Sequence, residues 1–397
     1  MPNSKVVEAT SKTAPLAATV ATVSLMGVLV VGQMYVTIPL MPQVADAWQV
    51  PTASAALSTT AFALAHAVGS LVSGPLSNRW GRRTVMVANV LAMAVVTALV
   101  PLVSDLSTGV ALRAFQGLFA GSFIPMAYAY VHARVAKESV PLALTVVSAC
   151  MGATVVLGQV EAQLLESLLG WTSVFWVTVP LLVAGAAVTW RVLLPDPPFV
   201  PAVVRPTAGR DATRGALSGR VVPLYLVILV GAGALTALYT GVELYGPPGV
   251  ADSGAAMLAL RASALPALVI AVLLAPALGR FKAQHRAFGA LAVIGATMLA
   301  VGYGGGDAVM LGGALFVFML GFSTLGPALI QAVGSQAGAA QTTAIALYGF
   351  TLNVGAGAGA QLPGILDGFG QLALVLAVAL AVAAFGVGLA VRAARRT

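Results

Sequence analysis

Charge is what this chain has least of. Of its 397 residues only 8% are Asp, Glu, Lys or Arg, while 59% are hydrophobic, and the mean hydropathy is +0.97. Soluble domains carry about 25% charged residues. Such a chain cannot cover a water-facing surface, so most of it must face lipid. Cysteine is nearly absent as well. The single Cys150 lies in an apolar run, which excludes an intrachain disulfide. No cluster of metal ligands and no nucleophile–base pairing stands out, so neither an enzyme nor a cofactor is expected. The glycine run Gly355 to Ala360 lacks the Lys-Ser/Thr ending of a phosphate loop and follows no strand. It reads as a seam of small residues where helices approach closely.

What the chain does have is long apolar runs. A membrane-spanning helix needs about 20 mainly apolar residues. That ruler gives twelve: about 17–41, 52–75, 84–103, 108–131, 141–165, 172–194, 221–245, 254–278, 287–304, 308–332, 339–365 and 370–391. The expected fold is an all-α membrane protein of two six-helix bundles, 17–194 and 221–391. A polar, Pro/Gly/Arg-rich linker, 195–220, joins them. Residues 1–16 read as a cytoplasmic tail, because the apolar run that follows is too long for a signal peptide. Residues 392–397 form a basic tail on the same side.

The few charges orient these spans. Gly74-Pro75-Leu76-Ser77-Asn78-Arg79-Trp80-Gly81-Arg82-Arg83 packs three arginines between two apolar runs, which marks a short cytoplasmic loop. With the N-terminus inside, 18 of the 20 Lys plus Arg fall in cytoplasmic segments, and the six outer loops carry one acid each: Asp46, Asp105, Glu166, Asp252, Asp307 and Asp367. The net charge of +8 is thus membrane topology rather than a nucleic-acid surface. The halves also repeat. A shift of 201 residues places Pro75 on Pro276, Arg79 on Arg280, Trp80 on Phe281 and Gly158 on Gly359. Parallel duplication of this kind is a recurrent transporter plan.

The stretch at 74–83 resembles the loop 2–3 signature of the major facilitator superfamily, matched by Gly74, Leu76, Asn78, Arg79, Gly81, Arg82 and Arg83. Arg113-Ala114-Phe115-Gln116-Gly117 resembles the R-x-x-Q-G motif of its twelve-helix drug:proton antiporters. Ile38-Pro39-Leu40-Met41-Pro42 resembles the proline pair common at the end of helix 1, and Gly170-Trp171 to Trp176 resembles the G-W-R-x-x-F-W entry to helix 6, with Thr172 or Ser173 in place of its Arg. The resemblance implies alternating access and a cytoplasmic gate built from the 74–83 residues. Two positions depart from it. Asn78 stands where the signature usually has Asp. In helix 5 the kink proline and closing glycines are replaced by Gln159, Val160, Glu161, Ala162 and Gln163.

An ionisable group at membrane depth costs on the order of 3 kcal/mol, so each one is a functional candidate. Arg113, Glu161, Glu243 and Arg261 qualify, with His66 as a fifth. Either glutamate could take up and release a proton, with the arginines tuning it; fixed ion pairs at an outer gate are the alternative. The resemblance puts helices 1, 4, 7 and 10 around the cavity, which brings in Gln33, Tyr35, Gln116, Phe119, Phe123, Tyr239, Phe316 and Phe322, with Asn353 joining from helix 11. An apolar lining with few polar groups suits an amphipathic organic substrate.

The expected function is proton-coupled export of a small organic or drug-like compound by a monomer in the bacterial inner membrane. No cofactor is expected beyond the proton gradient, and the partners are substrate, protons and lipid. A uniporter or proton symporter of a small metabolite is the second reading. A receptor or scaffold that has lost transport is the third.

Overall fold

A computed structural model describes residues 13–196, 213–247, 250, 253–304 and 307–394, with the side chains of 389–394 excepted. Most of both tails and most of the linker, with Lys5, Lys12, Arg205, Arg210, Asp252, Arg395 and Arg396, lie outside the described residues.

The described chain is helical. Ten runs are long and apolar enough to cross a membrane, and a shorter apolar helix precedes them. One run, Ala308–Ile365, is 58 residues long. It breaks at Gly338, whose φ of 54° suits glycine. With that run divided, the rods are α1 Leu16–Gly32, α2 Thr52–Trp80, α3 Arg82–Leu102, α4 Leu106–Arg134, α5 Val140–Leu169 and α6 Ser173–Val192. They continue as α7 Val222–Tyr245, α8 Gly254–Leu278, α9 Ala283–Gly304, α10 Ala308–Ala337, α11 Gln341–Gln361 and α12 Phe369–Ala394.

Two expected spans are corrected. The first was placed at about 17–41, but α1 ends at Gly32 and the chain unwinds through single turns to Met41, where the short helix Met41–Trp48 begins. Pro39 has no N–H to give a helix, and it pushes Ile38 away from helical backbone. The second was placed at about 52–75, with a loop after it. Instead α2 runs through Pro75 to Trp80, and α3 starts at Arg82. The whole loop is Gly81, at φ 82°. Its N–H caps the Ser77 carbonyl at 2.9 Å.

Helix pairing repeats. α1 packs on α5 as α7 packs on α11; α2 on α4 as α8 on α10; α3 on α6 as α9 on α12. Between the halves, α2 packs on α11 and α5 on α8. The closest approaches are made by glycine. A Cβ on Gly117 or Gly121 of α4 would stand 2.1 Å or 2.2 Å from the Phe62 or His66 carbonyl oxygen of α2. α2 and α4 are therefore in backbone contact, and this contact carries the side chains of the first site to each other.

Candidate functional site

The first site grows from the break in α1. A helix C-terminus leaves carbonyls without partners and concentrates partial negative charge. Arg113, on α4 and fully buried, answers that end: its Nη2 donates to the Gln33 carbonyl at 2.7 Å and its Nη1 to Gln116 Oε1 at 2.8 Å. Gln116 Nε2 then reaches Thr97 Oγ1 on α3 at 2.8 Å, and Gln33 Nε2 reaches Thr178 Oγ1 on α6 at 3.2 Å. Gly117 lets α2 come close enough to lay the Phe62 ring over the guanidinium, 4.7 Å from centroid to Cζ. Four helices are thus tied to one arginine, and each residue of the R-x-x-Q-G motif has a physical task. His66 stacks on Phe62 at 6.2 Å and is buried, with both ring nitrogens unbonded.

The second site crosses between the halves. Arg261 of α8 is fully buried; one Nη forms an ion pair with Glu243 of α7, and the other donates to Gln163 Oε1 of α5. Gln163 Nε2 donates onward to the Gly254 carbonyl at 3.1 Å. On the other seam Thr60 Oγ1 donates to the Gly357 carbonyl at 2.8 Å, and Gln361 Nε2 donates to Thr60 Oγ1 at 2.7 Å. These four cross-half bonds lie at one end of the bundle. At the end bearing Gly74–Arg83, α5 exposes Leu142 and Val146, and α8 exposes residues 272–277.

Glu161 does not join either site. Among the described residues it forms no hydrogen bond or ion pair, with Arg113 or any other. Residues two apart on a helix point about 200° apart. Since Gln163 faces α8, Glu161 faces away from that seam. It shares a stripe with Leu164 and Leu168, which are 46% and 69% exposed.

The end bearing Gly74–Arg83 holds a third assembly. Asp196, just past α6, accepts the backbone N–H of both Arg82 and Arg83 and pairs with Arg82 Nη1 at 3.1 Å. It therefore caps α3 from outside the helix. In return Arg83 caps α6: its Nη1 donates to the Trp190 and Leu193 carbonyls at 3.3 Å and 3.0 Å, and its guanidinium covers the Trp190 ring at 4.0 Å. Tyr130 and Arg134 hold the Leu194 N–H and the Pro195 carbonyl. Asp196 supplies the acid that Asn78 lacks. Asn78 and Arg79 are exposed, and Arg79 rests on its neighbour Trp80 at 5.3 Å. Gly74 has open space where a Cβ would stand.

Sequence reasoning missed Asp196, Gln163, Thr97 and Phe62. Asp196 was absorbed into the linker, although it is one of only two acids between 166 and 243. Gln163 was noted only as a departure from a motif. Of the expected cavity residues, Gln33, Tyr35, Gln116, Phe123, Tyr239 and Asn353 are buried, and Phe119, Phe316 and Phe322 are half-buried against the core. Asn353 donates to the Gly349 carbonyl one turn back.

A duplicated helix arrangement with a buried arginine bridging the seam between its halves is the build of a multi-pass membrane transporter. The chain belongs to the Major Facilitator Superfamily, whose model matches residues 23–360. Among curated proteins it is 30% identical over 138 residues to the tetracenomycin C resistance and export protein of Streptomyces glaucescens, covering 35% of this chain and 26% of that one. It is 27% identical over 177 residues to the chloramphenicol resistance protein of Pseudomonas aeruginosa, covering 44% and 42%. It is 30% identical over 127 residues to the multidrug resistance protein MdtG of Yersinia enterocolitica, covering 32% and 30%. The matched segments thus span less than half the length of these relatives. In solved structures the fold is that of the POT family transporter PepTSo, with a TM-score of 0.73 at 12% identity over 96% of this chain and 98% of that one. The human organic anion transporter MFSD10 gives 0.69 at 15% identity over 94% and 99%.

Proposed function

We propose that the chain exports a small amphipathic organic compound across a bacterial inner membrane in exchange for protons, with Glu243 as the proton carrier. The observation behind this reading is the Gln163–Arg261–Glu243 bridge. It places a carboxylate and its counter-charge on the seam that must part for access to alternate. With the Arg-rich end taken as cytoplasmic, the four cross-half bonds close the outer end of the seam, and in this reading the cavity opens to the inside.

The cycle follows from the charges. An ionised Glu243 holds Arg261, and Arg261 holds Gln163, so the outer seam stays shut. A proton taken up from outside, while the outer seam is open, keeps Glu243 neutral and the ion pair broken; its release inside re-forms the pair and seals the seam, because an unpaired buried arginine is costly. Substrate bound from the inside then has to part the pair for the seam to open again. The relatives named for resistance and export support an organic substrate, as do the half-buried aromatics Phe119, Phe316 and Phe322 if they face the cavity as expected.

The test is substrate-driven proton movement in proteoliposomes, with chloramphenicol and tetracenomycin C as probes and tolerance of a sensitive host as the cellular readout. Glu243→Gln is expected to abolish proton movement and tolerance. If proton movement survives in Glu243→Gln, Glu243 is not the carrier. If the wild type raises uptake of a probe instead, the direction is wrong.

A further inference from the structure

One helical turn inward of the Arg261 bridge, α5 and α7 each carry a buried polar side chain with an atom unpartnered among the described residues, and Arg261 itself keeps an Nε likewise unpartnered. Gln159 sits one turn before Gln163 on α5, so the two share a face. Tyr239 sits one turn before Glu243 on α7 and likewise shares its face. Four residues of helix advance about 6 Å. Both α5 and α7 run toward the sealed end, so Gln159 and Tyr239 stand at a similar depth, one turn closer to the open end. The Tyr239 hydroxyl lies within electrostatic reach of Arg261.

Gln159 and Tyr239 are 0% and 1% exposed, and Arg261 is 0% exposed. Yet Gln159 Oε1, the Tyr239 hydroxyl and Arg261 Nε have no hydrogen-bond partner among the described residues. Buried polar groups are nearly always satisfied, and each exception needs a reason. Here the three orphans are complementary. Gln159 Oε1 only accepts, Arg261 Nε only donates, and the tyrosine hydroxyl does either. A buried water needs two to four polar partners, and this set offers three.

We propose that Gln159, Tyr239 and Arg261 Nε bind a single water that passes protons between the open cavity and Glu243. The transfer balances without any other reagent. With the cavity open inside, a protonated Glu243 gives its proton to the bound water, which passes one of its own to a cavity water as hydronium. The acid becomes a carboxylate that pairs with Arg261, and the bound water is unchanged. The charged and titratable groups around this path are Glu243 and Tyr239 on α7, Arg261 on α8, and Glu166 at the end of α5, whose charge is felt at Glu243. The water site is read from the orphaned atoms alone; its role as a relay rests on Glu243 being the proton carrier.

Two measurements on the full-length protein test site and role separately. Radiolytic hydroxyl labelling, with water itself as the probe, marks side chains that touch bound water. Tyr239 is expected to label strongly despite its burial, unlike Tyr130, whose hydroxyl is bonded to the Leu194 N–H. Gln159→Leu should cut Tyr239 labelling severalfold, whereas Thr236→Ser should leave it unchanged. Labelling of Tyr239 as low as that of Tyr130 overturns the site. For the relay, Tyr239→Phe should slow chloramphenicol-driven proton movement severalfold and enlarge its slowing in heavy water, with chloramphenicol KM unchanged. An unchanged isotope effect, or a loss confined to KM, overturns the relay. Strong Tyr239 labelling together with intact proton movement in Glu243→Gln would keep the water site and sink only the proposed carrier.

Discussion

Gly359 of α11 lies flat against Gly233 of α7: a Cβ on Gly359 would stand 2.0 Å from the Gly233 carbonyl oxygen. Exactly one repeat earlier, 201 residues before each, Gly158 meets Gly32 in the same way at 2.5 Å. The duplicated halves therefore share a backbone contact as well as a helix order. A methyl group here has nowhere to go. Gly359→Ala and Gly158→Ala should each destabilise the purified protein by about 1–3 kcal/mol through overpacking. Gly289 of α9 has nothing within 4 Å of its Cβ position, so Gly289→Ala should raise stability by up to about 1 kcal/mol through helix propensity. Opposite signs in a thermal melt confirm the contact; equal shifts would refute it.

Arg113 holds a carbonyl, an amide and a ring at once. Lysine keeps the charge but cannot present a planar fork to the first two while lying under the third. Arg113→Lys should lower transport on the order of tenfold or more, with near-normal folded yield. Transport equal to wild type would show that charge alone is needed.

Arg261 and Glu243 are buried together, with their side chains 1% and 10% exposed. Removing one partner strands the other, at a cost of about 3–5 kcal/mol. Arg261→Leu should therefore damage folding more than Glu243→Gln, and Arg261→Leu with Glu243→Leu should recover much of the loss. A double variant worse than Arg261→Leu alone would contradict the pairing. Size-exclusion yield and thermal melts give the comparison.

Asp196 and Arg82 are partly solvated, so their coupling in a double-mutant cycle should be modest, about 0.5–1 kcal/mol. Asp196→Ala should cost more than that, because the cap on α3 goes with it. Arg83 caps α6, while Arg79 has no hydrogen bond among the described residues and rests on Trp80, so Arg83→Ala should reduce transport more than Arg79→Ala. Gly81→Val should be the worst of the set, since φ 82° disfavours a β-branched residue and Asp196 Oδ2 lies 3.2 Å from the new Cβ.

Asp105 caps α4, accepting from Ser107 and from the Thr108 N–H. Those bonds hold its carboxyl below the usual aspartate value. A lowered folded value means stability that is present above the unfolded pKa, near 4, and lost as pH falls through the folded one. The wild type should melt higher than Asp105→Ala at neutral pH, and the gap should close as the pH drops below about 4. A gap independent of pH would show that the cap works without its charge.

The sequence by itself determined the membrane class, the approximate place of each rod and the residues of highest cost. Those follow from length, hydropathy and the price of charge in lipid, all of which are local. It also held the 201-residue repeat. What it could not show was which costly groups meet. Arg113 finds a backbone carbonyl, which has no residue letter, because α1 ends at Gly32 and leaves the Gln33 carbonyl unpaired within the helix. Arg261 finds Gln163 across the seam, and Glu161 finds neither, because two positions on α5 face opposite ways. Asp196 serves α3 from 114 residues away in the chain. Only tertiary structure decides such partners: a buried charge takes the nearest group that satisfies it, and packing, not sequence distance, sets what is near.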